Sequence, residues 1–346
     1  MTGPVTAAGA AARSTWAERL LWGLIVCGLC AVLATRVIPA MPDDINYLTY
    51  FRGVTLARGS NWWAAFLNEP LWLLYTRYMG EAFGAELAFR ITLFLSPLVL
   101  LASSRRLLGV VAWLFFVYFL IGASIAGGLY ATVIRQGFAT SVFMGLAMVG
   151  LNPILAALIA AGFHSSFLAV VVTIGLVEMF ANPRYRTLSL ILAALFAIGL
   201  LLGVSQIHIA LDDPNLQGRR GQTYRGARGL NLLGHLGILL HYGIALGLAC
   251  PPLKSLLHER YRLYLYAVAL SVMTYIAMLV NAGFTRFFLT VKIVVTLALL
   301  LRIRSRRGQL ALAFWFLGTV VLTINESLTD SPYAWWALWL GILGGR

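Results

Sequence analysis

Long apolar runs separated by short polar segments dominate the chain. A helix needs about 20 mostly apolar residues to cross a bilayer, and nine segments have roughly this length and character. They lie near residues 19–38, 87–104, 107–127, 129–149, 187–206, 230–250, 262–281, 284–301 and 309–326. The pattern predicts an all-α polytopic membrane protein with about 10–12 transmembrane helices, once the ambiguous segments below are included.

Two apolar segments are interrupted by polar residues. Segment 61–80 is aromatic but contains Glu69 and Arg77, and segment 153–180 is long but broken around His164. We interpret the first as a re-entrant or interfacial helix on the outer side, and the second as two short helices. Irregular backbone at membrane depth persists only where protein or a watery cavity surrounds it. The two breaks therefore predict a polar cavity that opens outward.

Composition supports this class and excludes others. Apolar residues make up 60% of the chain and charged residues only 11%, whereas soluble domains carry about 25% charged residues. The mean hydropathy of +0.85 likewise excludes soluble, disordered and disulfide-scaffold proteins. We expect one integral membrane domain over 1–346, with a disordered cytoplasmic tail at 1–15. The outer side would hold a loop with the re-entrant helix at 40–80 and a mobile basic loop at 206–229.

The positive charge has an uneven distribution. The net charge is +14, and lysine supplies only two of the 26 basic residues. Cytoplasmic loops are enriched in Lys and Arg. Five basic clusters can all be cytoplasmic if segment 61–80 does not cross the membrane and segment 153–180 enters it and returns to the same side. The clusters are Arg13/Arg19, Arg105/Arg106, Arg184/Arg186, Lys254/Arg260/Arg262 and Arg302/Arg304/Arg306/Arg307.

Ten further arginines fall on the predicted outer side. They are Arg52, Arg58, Arg77, Arg90, Arg135, Arg219, Arg220, Arg225, Arg228 and Arg286. Arginine matches phosphate geometry with a planar, permanently charged fork, so these side chains either bind an anionic ligand or contact lipid headgroups. Arg36 is interpreted as an ordinary flank of a span. In the basic loop, Arg219, Arg220, Tyr224 and Arg225 either close over an anionic substrate or form a generic solvated loop.

Three residues are candidates for proton transfer. Glu69 precedes a proline inside the interrupted segment, where it either accepts a proton or pairs structurally with Arg77 or Arg90. Asp44 either faces the cavity or caps a helix, a choice it shares with Asp43. His164 lies at the broken turn, where it is either functional or a satisfied structural residue. No His/Asp cluster has convincing metal spacing, so we expect a metal-independent site without a cofactor.

In this order, the motifs resemble the EpsG/Wzy-type family of polysaccharide polymerases. The resembling motifs are Asp44-x-x-Tyr47-x-x-Tyr50, Glu69-Pro70, Arg135-Gln136, Phe163-His164-x-Ser166 and Arg286. They span roughly residues 40–290. The sequence departs from the family at Asp43-Asp44-Ile45, where the family more often has a tyrosine directly after the aspartate.

The resemblance implies a GT-C-like glycosyltransferase of the bacterial inner membrane, with its site facing the periplasm. Such enzymes polymerise oligosaccharide repeat units carried on undecaprenyl pyrophosphate and release the carrier. Their partners would include a flippase and a chain-length regulator, and no nucleic acid. Glu69, Asp44 and His164 would be catalytic in that order. Pyrophosphate would be bound by Arg135, Arg286, Arg90, Arg77 and Arg52.

Two other functions fit the same residues. An O-antigen ligase-like transferase would use the same arginines and carboxylates, although its outer loop is usually larger than the two dozen residues here. A transporter or flippase of a lipid-linked anion is the other alternative. Transporters commonly contain two-fold internal repeats, and the halves of this chain show no self-similarity.

Overall fold

The computed structural model describes residues 16–39, 41, 43–53, 69–122, 128–211, 232–252, 255–280 and 287–327. These residues are mainly α-helical, and no strand occurs among them. The helices are α1 (Trp16–Thr35), α2 (Asp44–Phe51), α3 (Pro70–Phe83), α4 (Ala85–Leu107), α5 (Val110–Gly122), α6 (Ile134–Met148), α7 (Pro153–Ala161), α8 (Phe167–Ala181), α9 (Arg186–Leu211), α10 (Leu232–Leu248), α11 (Arg262–Val280), α12 (Phe288–Leu300) and α13 (Arg306–Ser327).

The helical part of the prediction is confirmed, and the apolar helices are compatible with an α-helical membrane protein. Three described stretches are long and apolar enough to cross a bilayer: Ala85–Leu107, Pro183–Leu202 and Glu259–Leu279. Five shorter apolar helices accompany them in the described ranges. The predicted total of about 10–12 spans and the GT-C-like arrangement stay predictions.

The surface of α9 is compatible with contact with lipid. Leu190, Leu195 and Leu202 are each more than half exposed, and almost none of the span over Pro183–Leu202 is buried within the protein. Exposed apolar patches of this extent mark contact with a membrane or with another protein. Together with the apolar composition, this surface favours a bilayer around α9.

The chain divides into two compact units. The first contains residues 1–168 and 319–346, and the second contains residues 169–318. In the first unit α4 is central and packs against α1, α2, α3 and α6. In the second unit α11 packs against both α9 and α12.

The predicted break in segment 153–180 is confirmed. Helix α7 ends at Ala161 and α8 begins at Phe167, with a turn between them. The carbonyl of Gly162 in this turn accepts hydrogen bonds from the backbone N–H groups of Leu71 (2.9 Å) and Trp72 (3.2 Å). These groups are among the unsatisfied donors of the first turn of α3. The turn and the start of α3 are thereby joined.

Two predicted boundaries can be compared with the structure. Helix α3 has 14 residues and is about 21 Å long, so it is too short to span a bilayer of about 30 Å alone. Helix α9 continues to Leu211, which makes the first part of the predicted loop 206–229 helical because apolar residues persist there. The remainder of that loop and the predicted tail lie outside the described residues.

Candidate functional site

Glu69 has an unusual backbone conformation at the start of α3. Its φ of 61° and ψ of 66° are left-handed, and it is the single non-glycine residue with positive φ in the described part of the chain. Such a conformation costs on the order of 1–3 kcal/mol and is concentrated at functional sites. The side chain makes no capping hydrogen bond to its own helix. The carboxylate is instead directed to partners elsewhere in the first unit.

Both carboxylate oxygens of Glu69 have partners, and the side chain is only 5% exposed. Nη1 of Arg135 donates to Oε2 in a short ion pair. The backbone N–H of Ser165 donates to Oε1 at 3.2 Å, and the Ser165 hydroxyl lies 3.4 Å from the same oxygen. A cation and a backbone donor therefore orient the buried carboxylate at the turn between α7 and α8.

Arg135 lies in the first turn of α6. A five-residue π-helical turn, Gly128–Thr132, directly precedes this helix. The backbones approach closely here, because a Cβ on Gly137 would lie 2.4 Å from the carbonyl oxygen of Leu129. The Arg135 side chain is 20% exposed, and its Nε is buried without a hydrogen-bond partner. The guanidinium therefore retains donor capacity beyond the bond to Glu69.

Two tyrosines of α2 contact the same guanidinium. Tyr47 and Tyr50 are three residues apart and so lie on one helix face. The Arg135 guanidinium lies over the Tyr50 ring, 5.5 Å from its centroid, and it also interacts with the hydroxyl of Tyr47. Burial raises the pKa of Tyr47 to about 12, although the positive charge of Arg135 opposes that shift. Tyr47 is therefore a neutral hydrogen-bonding group beside the ion pair.

The site rests on an aromatic cluster. Trp72 is fully buried and makes edge contacts with both Tyr47 and Tyr50, at centroid distances of 6.1 and 6.5 Å. Phe138 and Phe163 pack together 5.1 Å apart on the same cluster. The ion pair therefore has a rigid apolar floor, which limits the rotamers open to its members.

Asp44 belongs to a second, separate ion pair. Its two oxygens accept hydrogen bonds from the two terminal nitrogens of Arg36, at 2.5 and 2.6 Å. The backbone N–H of Met41 also donates to it at 3.0 Å, and both side chains are fully buried. Because both members of this pair are fully buried, Asp44 has no access to a substrate hydroxyl, whereas Arg135 beside Glu69 is 20% exposed. The structure thus argues against the predicted catalytic role of Asp44, and Arg36 is a buried partner rather than an ordinary flank.

The predicted arginine set separates into different environments. Arg77 is exposed and pairs with Glu81 one turn along its helix at 2.9 Å. Arg90 pairs with Glu86 and donates to the carbonyl oxygen of Ala34 at 2.8 Å, which satisfies the C-terminus of α1. These contacts explain both residues structurally, and they correct the alternative that either arginine pairs with Glu69.

Arg52 follows the last residue of α2 in the chain. It is exposed at the C-terminal end of α2, the helix that carries Tyr47 and Tyr50. Among the residues that the structure describes, it pairs with no carboxylate. Arg286 and the loop residues Arg219, Arg220, Tyr224 and Arg225 lie outside the described residues, so their predicted roles stay predictions.

His164 has a local role in the broken turn. Its Nδ1 accepts a hydrogen bond from the backbone N–H of Ser166 at 3.3 Å, and the Ser166 hydroxyl lies 2.7 Å from the same nitrogen. The side chain of His164 thus accepts from the backbone two residues ahead, as Asn and Asp side chains do in turns. Nδ1 of His164 is thus engaged within its own turn.

Three contributing residues were missed as site residues. Ser165 supplies donors to Glu69, Tyr47 contacts Arg135, and Arg36 neutralises Asp44. The tyrosine spacing and the polar turn were visible signals. For the Arg36–Asp44 pair, the sequence shows only two opposite charges eight residues apart, with a proline-containing segment between them.

Comparison with protein-family models, curated proteins and solved structures gives no match for this chain. The described residues contain no group of three or more His, Cys, Asp or Glu side chains arranged to hold a metal ion. The candidate site is therefore the ion pair of Glu69 and Arg135 with its serine and tyrosine partners.

Proposed function

We propose that this protein is a membrane glycosyltransferase that polymerises oligosaccharide repeat units linked to undecaprenyl pyrophosphate. The observation that carries the proposal is the buried carboxylate of Glu69, a residue with a left-handed backbone, paired with Arg135 beside the break between α7 and α8. A carboxylate beside an arginine with unused donors is the pair that this reaction requires. One group accepts the proton of the attacking hydroxyl, and the other stabilises the departing phosphate.

A hydroxyl oxygen of the incoming repeat unit attacks the anomeric carbon of the growing glycan and forms the new glycosidic bond. The bond from that carbon to the pyrophosphate oxygen breaks, and its electron pair leaves with undecaprenyl pyrophosphate. The hydroxyl proton passes to the carboxylate of Glu69. Ser165 keeps the carboxylate oriented during this transfer.

Arg135 has two functions in this scheme. One terminal nitrogen holds Glu69, while Nε has no partner and the side chain is partly exposed. Its remaining donors bind the pyrophosphate as negative charge develops in the transition state. The Glu69–Arg135 pair is neutral, so a pyrophosphate needs further cations. Arg52, exposed on α2, is the nearest candidate in sequence to the tyrosines of the site.

The finer features of the protein belong to the same proposal. They comprise about 10–12 spans with a GT-C-like arrangement, an inner-membrane location and a site that faces the periplasm. The apolar helices support membrane insertion, and the arginine distribution along the sequence supports the orientation. The substrate is a lipid-linked glycan, which acts as both donor and acceptor.

The test is polymer formation by the purified protein in lipid. Incubation with one lipid-linked repeat unit should give a ladder of products. Glu69→Gln and Arg135→Ala should abolish the ladder while the protein still inserts. Because removing one partner of a buried pair also lowers stability, each variant is assayed at a temperature at which it remains folded. Arg106→Ala is the matched arginine control and should retain the ladder, because Arg106 is exposed at the far end of α4.

Three other outcomes are informative. Transfer to a different acceptor without a ladder would indicate the ligase-like alternative. Substrate crossing sealed vesicles without any transfer would indicate a transporter. Wild-type polymer length in both Glu69→Gln and Arg135→Ala would falsify the assignment of this pair.

A further inference from the structure

An apolar cavity of about 300 Å³ lies within the second unit, on the faces of three helices. It is lined by positions along 173–180 of α8, 189–200 of α9 and 265–276 of α11. The lining positions recur every three or four residues, so each helix contributes one continuous stripe. The cavity is therefore an elongated groove that runs along the helices.

The groove presents almost no polar surface. Its two hydroxyl groups are satisfied within the protein, since Ser189 donates to the carbonyl of Leu176 at 2.7 Å. Thr173 donates to the carbonyl of Ala169, also at 2.7 Å. The walls otherwise consist of aliphatic side chains, Met273, Phe180 and Phe196. A hydrocarbon chain fits this lining, whereas a sugar or a peptide backbone would leave polar groups unsatisfied.

The length of the groove matches one leaflet of a bilayer. The stripes on α9 and α11 each extend over eleven residue steps, which corresponds to about 16 Å of helix. The hydrocarbon core of a bilayer is about 30 Å thick, so one leaflet contributes about 15 Å. A single lipid acyl chain therefore matches the groove in length.

One end of the groove is positively charged. The N-termini of α9 and α11 both lie at the Phe180 end, and helix N-termini attract anions. Arg186 lies there and donates to the Phe180 carbonyl at 3.2 Å. Arg262 lies 3.6 Å from Glu178, and its Nη1 is buried without a hydrogen-bond partner. Arg184 and Arg260 add two further cations nearby in the chain, against the carboxylates Glu178 and Glu259.

We propose that this groove binds one anionic glycerophospholipid. An acyl chain occupies the groove, and the phosphate lies at the end that carries Arg186 and Arg262. The proposal concerns a lipid bound to the second unit, and it does not rest on the glycosyltransferase function.

The test measures lipid retained by the purified full-length protein, by native mass spectrometry. Phosphatidylglycerol and phosphatidylcholine with identical acyl chains are compared. For each arginine that contacts the phosphate, the wild type should retain phosphatidylglycerol about fivefold better than phosphatidylcholine. This factor corresponds to about 1 kcal/mol per basic residue. Replacing both arginines (Arg186→Gln and Arg262→Gln) should reduce this retention to the level of phosphatidylcholine.

A groove-filling variant tests the position of the acyl chain. Ala193 lines the groove and Ala194 does not, so Ala193→Phe should lower retention of both lipids several-fold. Ala194→Phe, which adds the same ring on the exposed face of the same helix, should leave retention unchanged. Equal loss in both variants, or no loss in either, would overturn the groove as the site. Preferential retention of undecaprenyl phosphate over phosphatidylglycerol would overturn the assigned occupant.

Discussion

Asp44 accepts hydrogen bonds from both terminal nitrogens of Arg36, and neither side chain is accessible to solvent. The pair joins the end of α1 to the start of α2. It also fixes the direction in which α2 leaves α1, and hence where Tyr47 and Tyr50 lie relative to Arg135. The pair lies outside the candidate site, and it stabilises the position of the helix that carries the two tyrosines.

Asp44→Ala should destabilise the protein by about 3–5 kcal/mol, because a buried arginine is left without its counter-charge. The measurement is unfolding of the purified protein in detergent, compared with the wild type. Arg36→Met combined with Asp44→Leu should recover much of this loss, since apolar replacement of both partners removes the unpaired charge.

The same variant distinguishes structure from catalysis at this position. If Asp44→Ala keeps wild-type stability but loses polymer formation, Asp44 acts on the substrate, and the structural assignment is wrong. If stability and activity fall together and the double replacement restores both, the pair is structural.

Gly80→Ala should destabilise the contact between α2 and α3. A Cβ at this position would lie 1.9 Å from the carbonyl oxygen of Phe51, and backbone atoms cannot move aside as a side-chain end can. Overpacking of this kind typically costs about 1–3 kcal/mol. Gly23→Ala, within α1, is the control because no atom lies within 4 Å of its Cβ position. An equal melting temperature for both variants would contradict the close approach of α2 and α3.

His164→Asn should retain activity. The asparagine oxygen can accept the hydrogen bond from the backbone N–H two residues ahead, as Nδ1 of His164 does now. His164→Ala should lower stability by about 1 kcal/mol through loss of that bond. A stable His164→Asn protein that forms no polymer would show that the imidazole itself acts in the reaction.

The Tyr47 phenol should ionise at about pH 12 in the folded protein, against an ordinary value of 10.0, because burial raises its pKa. The unfolded chain releases this proton at the lower pH. The contribution of Tyr47 to the free energy of unfolding is therefore complete below pH 10.0, and it is lost as the pH rises toward about 12. The measurement is the difference in phenolate absorbance between wild type and Tyr47→Phe during alkaline titration. A difference centred near pH 10 would place the hydroxyl in solvent.

The broken segment is a feature that the local sequence pattern predicts. Phe163-His164-Ser165-Ser166 interrupts an apolar run, and the structure has its turn there, between α7 and α8. The same pattern identified Glu69 and Arg135 as candidates individually. The sequence pattern could not predict that these two residues pair, because 66 residues separate them and several other arginines could have paired with Glu69. The alternatives were Arg77 and Arg90, which instead pair within their own helices.

Hydrophobic periodicity and composition predict the helical class, the apolar segments and the polar breaks, because each of these depends on residues within one segment of the chain. Packing between segments selects which carboxylate meets which arginine. Glu69 joins Arg135 and Ser165, while Asp44 is enclosed by Arg36. This selection follows from desolvation, since a charge buried among packed helices needs a partner within reach, and packing determines which partner that is.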